Sequence, residues 1–259
     1  MNDTSKAPLA LTIIGAGRLG RSIAAAPVAT DAAPPVLLGR EYATHDLSGA
    51  VLLLCVPDRE IGAVAASIRQ SGNLPHAIGH TSGATTLDAL DGCDTGGGRF
   101  SVHPLQTVPT AETDLSGSPA ALAASTGESM ELATQIALGL GMEPFRIGEA
   151  DRAMYHAAAS IASNFLITLE ETAASMMAGI GVDDPRRVLA PLVRQSLENW
   201  TAAGADALTG PIVRGDAETV ATHREAISDF RPELLGFYDT LAERTREVAG
   251  MNTVEGPGR

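Results

Sequence analysis

The stretch Gly15-Ala-Gly-Arg-Leu-Gly20 follows the apolar run Leu9–Ile14 directly and leads into an Ala-rich segment. A G-x-G-x-x-G spacing between a strand and a helix demands a tight turn, an open backbone and a close helix-on-strand contact. It commits the chain to begin as strand, turn and helix, and the first half continues in that alternation. Val36–Leu38, Val51–Val56, His76–His80, Arg99–His103, Ala120–Ala124 and Pro144–Ile147 read as strands, while 59–69 and 128–140 carry apolar residues at helical spacing. The pattern predicts an α/β domain built on a parallel sheet.

Near Gly148 the patterning changes. From Glu149 to Ala178 there is neither Pro nor Gly, and Ala, Met, Leu and Ile dominate, so one long helix is expected. Further helices are expected at 186–203, 216–228 and 232–249, each preceded by a capping residue or Pro. The chain is therefore divided into a sheet domain over 1–148, an all-α domain over 149–250 and a flexible tail over 251–259. The many small apolar residues point to close helix packing.

Composition narrows the chemistry. Acids outnumber bases 31 to 18, for a net charge of −13, which argues against nucleic-acid or anionic-membrane partners. The one Lys is Lys6, ahead of the first apolar segment, so Schiff-base chemistry, a P-loop and a core Lys acid are all disfavoured. Proton transfer then falls to His, Tyr, Cys or a carboxylate. Cys55 and Cys93 form no disulfide framework, and Cys55 lies in an apolar run as a core residue. With no basic leader ahead of an apolar segment and no run of about 18 apolar residues, a soluble cytoplasmic protein is expected.

The glycine turn is the signature of a dinucleotide site, with Gly15, Gly17, Arg18, Leu19 and Gly20 around the pyrophosphate at the helix N-terminus. The second strand ends Leu38-Gly39-Arg40 instead of in an acid, and a cation there suits a 2′-phosphate, so NADP is favoured over NAD. Glu41 follows immediately and pulls the other way. Val56 and Pro57 would line the nicotinamide half of the crevice, and Thr81 is assigned to the cofactor as well.

Candidate chemistry comes from strand ends and from the long helix. His80 and His103 each end a strand at the edge where open α/β sheets bind ligands; each is alternatively a strand cap bonded to backbone. His156, Ser160 and Ser163 or Asn164 fall at i, i+4 and i+7 or i+8, one polar stripe on an Ala-rich helix expected to be buried. Such a stripe either joins helices by hydrogen bonds or lines a cleft. Ser82 and Ser163 are further candidates for substrate contacts. Arg214, in Leu208–Asp216, is a candidate carboxylate clamp or an ion-pair partner, with Asp216 capping the next helix.

Several of these stretches together resemble the DUF2520 family, which joins an N-terminal Rossmann-like domain to a helical domain. The matching segments are Gly15–Gly20, Val56–Asp58, His80–Ala84, His103–Thr107, Ala150–His156, Ala162–Leu166 and Ala207–Asp216. The resemblance implies kinship with ketopantoate reductase, 6-phosphogluconate dehydrogenase and pyrroline-5-carboxylate reductase, an oxidoreductase activity, and homodimers packed through the helical domain. One departure stands out. Relatives in the wider superfamily place a Lys four residues before an Asn on this helix; Asn164 matches the Asn, but Ser160 stands at the Lys position. His156, one turn earlier, takes over as candidate proton donor, imidazole being the side chain suited to giving a proton near neutrality.

The expected activity is NADPH-dependent reduction of a small 2-oxo acid, 2-dehydropantoate first among them. His156 would protonate the oxygen, Ser160 and Asn164 would orient the substrate, Arg214 would hold its carboxylate and His103 would border the nicotinamide. Rival readings are an imine or prephenate-type dehydrogenase, and a non-catalytic NADP-binding sensor or scaffold.

Overall fold

The computed structural model describes residues 11–26 and 34–251. Lys6, the first residues of the expected strand at Leu9–Ile14, and residues 252–259 of the expected tail lie outside them. The chain forms two compact units, Met1–Ser163 and Asn164–Arg259.

The first unit is a seven-stranded sheet: β1 (Leu11–Ile14), β2 (Val36–Leu38), β3 (Val51–Leu54), β4 (Ala77–His80), β5 (Arg99–Pro104), β6 (Pro119–Ala124) and β7 (Glu143–Arg146), in the order β2-β1-β3-β4-β5-β6-β7. From β1 the chain goes to β2 on one side and then crosses to β3 on the other. The carboxyl ends of β1 and β3 therefore flank the switch point where such sheets bind ligands. β3 is buried along its whole length, as a strand covered on both faces must be. Its alternation sorts the core: Leu53 joins Ile13, Phe100 and Leu122 on one face, while Leu52 and Leu54 join Ile14 and Ile78 on the other.

Helices cover both faces. α2 (Asp58–Ser71) buries Ile61, Ala65 and Ile68, the i, i+4, i+7 stripe of an amphipathic helix. α3 (Gly127–Gly139) buries Ser129, Ala133 and Ala137 and begins in a reciprocal Thr126–Ser129 cap. The small stripe on α3 bears out the expected close packing. The sheet is not wholly parallel, because β6 runs antiparallel to β5. A parallel return needs a crossover that is usually helical. Residues 105–118 form no helix and deliver the chain back in the opposite sense.

The expected long helix is continuous but not uniform. A short 3₁₀ turn (Glu149–Asp151) leads into α4 (Arg152–Ser160), a π-helical turn spans Ile161–Phe165, and α5 (Leu166–Gly179) follows. The i→i+5 turn breaks the 3.6-residue register, so Ser163 and Asn164 do not continue the His156–Ser160 stripe. The helix is not buried within the chain either: Arg152 alone is buried on α4 and Ala174 alone on α5.

The second unit adds α6 (Pro185–Ala203), α7 (Ala217–Phe230) and α8 (Leu235–Met251). Asp216 caps α7 on the Thr219 amide, as the sequence suggests, and Asp184 caps α6 on the Arg187 amide. Arg224 on α7 grips Asp239 on α8 through two hydrogen bonds. Among the described residues, no helix is long and apolar enough to cross a membrane.

Candidate functional site

The glycine turn has the local geometry expected of it, and each glycine answers a different need. Gly15 turns at φ +119°, and a Cβ there would collide with the Cys55 carbonyl. Gly20 lies against the Gly15 carbonyl and lets α1 (Arg18–Ala25) pack on β1. Gly17 is the opposite case: its φ is −74° and a Cβ would meet nothing within 4 Å. Among the described residues, open space therefore stands over the N-terminus of α1, and no side chain caps the first-turn amides. Arg18 bonds the Pro109 carbonyl, and Leu19 packs into the core below.

At the end of β2, Arg40 is exposed and opens a 3₁₀ turn (Arg40–Thr44). Glu41 folds back instead, its carboxylate accepting the Gly39 amide at 2.7 Å, a bond that lowers its pKa. Val56 and Pro57 follow β3 on the same edge.

On that edge three histidines separate into two kinds. His80, at the end of β4, is fully buried, and its Nδ1 accepts the Ser82 amide at 3.2 Å. Its proton therefore sits on Nε2, which closes no hydrogen bond among the described residues. Burial, with Arg152 adding to it, holds the imidazole down to about 4. His80 shapes the loop as a strand cap. Ser82 does the same: its hydroxyl accepts the Ala84 and Thr85 amides and donates to Thr85 Oγ1, so it is already engaged and not free for substrate. Thr81 bonds the Leu54 carbonyl through both its amide and its hydroxyl, so its side chain ties β4 to β3.

His103 and His156 make the second kind. Their rings meet edge-on with centroids 6.2 Å apart, over Gly83. A Cβ on Gly83 would stand 2.8 Å from His156 Nδ1 and 3.0 Å from His103 Nε2, so only glycine lets both rings close on the loop. His156 Nδ1 is buried and has no hydrogen-bond partner among the described residues. Burial holds His103 down to about 4; His156 and Arg152 add to the shift, and Asp58, at the start of α2, opposes it.

Residues that sequence reasoning left out hold this pair in place. Arg152, 1% exposed, bonds the Ser82 carbonyl (3.1 Å), Ser101 Oγ (2.7 Å) and Glu149 (2.5 Å). Glu149 in turn accepts the Leu87 amide at 2.8 Å. Tyr155 places its hydroxyl 2.6 Å from His103 Nδ1. Arg152, Tyr155 and His156 stand at i, i+3 and i+4, a single helix face. That spacing was the available signal. In α4 and the turn after it, Ser160 and Ser163 are half-buried. Asn164 and Arg214 belong to the second unit, both exposed, and the Arg214 side chain makes no hydrogen bond or ion pair among the described residues.

Residues 118–245 match the family described as domain of unknown function DUF2520. A Rossmann-like sheet thus runs into a region similar to that family. The DUF2520 match begins at β6, so this family region includes the last two strands and α3 along with the helices. Solved structures extend the likeness to nearly the whole chain. Protein TM1727 of Thermotoga maritima superposes with a TM-score of 0.75 at 22% identity, covering 93% of this chain and 99% of that one. BF3122 of Bacteroides fragilis, described as a candidate NADP oxidoreductase, gives 0.74 at 20%, covering 93% and 98%. The pyrroline carboxylate reductase of Plasmodium falciparum, solved with NADP bound, gives 0.55 at 12%, covering 94% and 99%. At these identities the likeness establishes the fold. A search of curated proteins finds no significant match.

Proposed function

We propose that this DUF2520 protein is an NADP-dependent oxidoreductase that reduces a small 2-oxo acid, with 2-dehydropantoate the first substrate to test. One observation carries the reading. An open glycine turn at the switch point and a histidine pair with a buried, unpartnered nitrogen share one edge of one compact unit. The residues present fit the cofactor: the space over Gly17 and the uncapped α1 amides suit a pyrophosphate, and the exposed Arg40 suits a 2′-phosphate. Glu41, turned onto Gly39, does not oppose that phosphate by reaching for a ribose hydroxyl. The solved NADP-bound reductase of the same fold adds support.

Bound NADPH supplies a hydride to the carbonyl carbon. His156 gives its proton to the oxygen that gains the C=O electron pair and recovers one from solvent. The buried, partnerless Nδ1 is the atom we assign to that transfer. Ser160, Ser163 and Asn164 are assigned to orienting the substrate. We place the protein in the cytoplasm, where its two free thiols would stay reduced.

We also propose a homodimer formed through the helical unit. α6 buries no residue within the chain, and it exposes Leu192 and Trp200 by 65% and 63%. A second copy would cover this apolar face.

Titration of the full chain with NADPH and NADH, followed by a panel of 2-oxo acids, tests the activity. The expected result is at least tenfold tighter NADPH binding, turnover of one or more acids, and about a hundredfold loss of kcat in His156→Ala. Absence of NADPH binding sinks the reading. Turnover of pyrroline carboxylate alone would make the protein an imine reductase, and binding without any turnover would make it a sensor.

A further inference from the structure

Tyr155 has no part in the reaction as written above, yet its hydroxyl makes one of the shortest side-chain contacts at the site. It precedes His156 on α4, and its ring is fixed from two sides. Phe145 on β7 meets it edge-on at 6.0 Å and His103 on β5 at 5.6 Å, the latter with the planes at 87°. The hydroxyl then falls 2.6 Å from His103 Nδ1.

Which atom donates follows from acidity. Burial raises the Tyr155 phenol to about 12 and lowers His103 to about 4, so both are neutral near pH 7. A phenol is the stronger acid of the two neutral groups, so its O–H donates and Nδ1 accepts. An imidazole accepting at Nδ1 must carry its one proton on Nε2. That nitrogen has no hydrogen-bond partner among the described residues. It is also the atom that His103 turns toward Gly83, beside His156 Nδ1.

We propose that Tyr155 is a positioning residue that locks His103 as the Nε2–H tautomer, so that His103 presents a neutral donor to the substrate oxygen beside His156. The catalytic part of this rests on the reductase reading; the tautomer does not. In that arrangement the two histidines divide the work. His156 transfers the proton, while His103 keeps its own and stabilises the charge building on the oxygen. An imidazole that stays neutral near pH 7 can do this without becoming a competing acid.

The test uses full-length protein carrying ¹⁵N-histidine. Long-range ¹H–¹⁵N spectra near pH 7.5 are recorded for wild type and Tyr155→Phe, with the His103 signals assigned through His103→Gln. The expected wild-type spectrum shows His103 protonated on Nε2, and Tyr155→Phe shows a mixture of tautomers. With an accepted 2-oxo acid, Tyr155→Phe should lose tenfold or more in kcat, with KM and NADPH affinity within about twofold. A wild-type His103 protonated on Nδ1 overturns the proposal, and so does a variant with unchanged tautomer and kcat. Should Tyr155→Phe fail to fold, the wild-type spectrum alone still decides. If NADPH binds and no acid turns over, the reductase reading falls while the spectrum still reports the tautomer.

Discussion

The two units shield their apolar residues to different extents. In the sheet unit, Ile13, Leu52, Leu53, Ile61, Ile78 and Phe100 are fully shielded by elements of the same chain. In the helical unit, Ile180 is 71% exposed, and α6 runs nineteen residues without burying one. A parallel sheet with helices on both faces closes its own core. A layer of helices with an apolar face left open is complete only when something covers it. The difference teaches where shielding and chemistry reside: the first unit closes a core and carries the glycine turn and the histidine pair, and the second leaves apolar residues of α6 open.

The sharpest way to break this contrast is to charge the open face. Leu192→Asp with Trp200→Asp should weaken self-association by at least about 4 kcal/mol, a thousandfold in dimer dissociation constant, if both act as interface anchors. Sedimentation should show monomers whose NADPH affinity is unchanged. Wild-type protein that sediments as a monomer would remove the assembly proposal. Next in size is the buried cation of the sheet unit. Glu149→Ala leaves Arg152 without its counter-charge and should cost about 3–5 kcal/mol in denaturant unfolding of that unit. A loss below about 1 kcal/mol would show the network to be ornamental.

Acid should then act on the sheet unit through His80. Its folded pKa, about 4, lies below the unfolded value of 6.5, so the unfolded state binds more protons between those values. The His80 contribution is complete above pH 6.5 and is lost as pH falls toward 4, up to about 3 kcal/mol. His80→Asn should flatten the fall in thermal midpoint across that window; an unchanged slope would reassign it to other groups. The smallest effect on folding belongs to Gly17→Ala, under about 0.5 kcal/mol because the added methyl meets nothing. The same methyl should nevertheless weaken NADPH binding tenfold or more. Equal affinity in calorimetry would mean that no phosphate approaches that backbone.

Much of this architecture was legible in the residues, and the exceptions have physical causes. β2 begins and ends where its apolar run does, because a short run bounded by Pro and Gly has little freedom. The reversal between β5 and β6 was hidden, since a strand's side-chain pattern reads the same in either direction. The π turn at Ile161–Phe165 was hidden as well: its residues are ordinary helix formers, and the extra residue per turn leaves no mark in composition. Burial of α4 and α5 was overestimated because apolar patterning marks a face that wants cover without saying which chain supplies it. In the site, His103 and the glycines were picked out by position on strand ends and turns, and His156 by the polar stripe of the long helix. Arg152 and Tyr155 were missed because, Glu149 apart, the partners named here lie 51 to 70 residues away. Only their shared face with His156 hinted at them.

The buried Arg152 has a consequence for the electrostatic climate of the whole edge. A lysine in that place could shed its proton and fall silent, but a guanidinium cannot, so its charge is permanent across the pH range of life. His80 and His103, both within its reach, are pushed away from gaining charge. Any group arriving there that gathers negative charge is drawn the other way. A chain nearly devoid of lysine thus keeps a permanent cation beneath this edge, with Glu149 as the partner that sets how much of its charge is felt there.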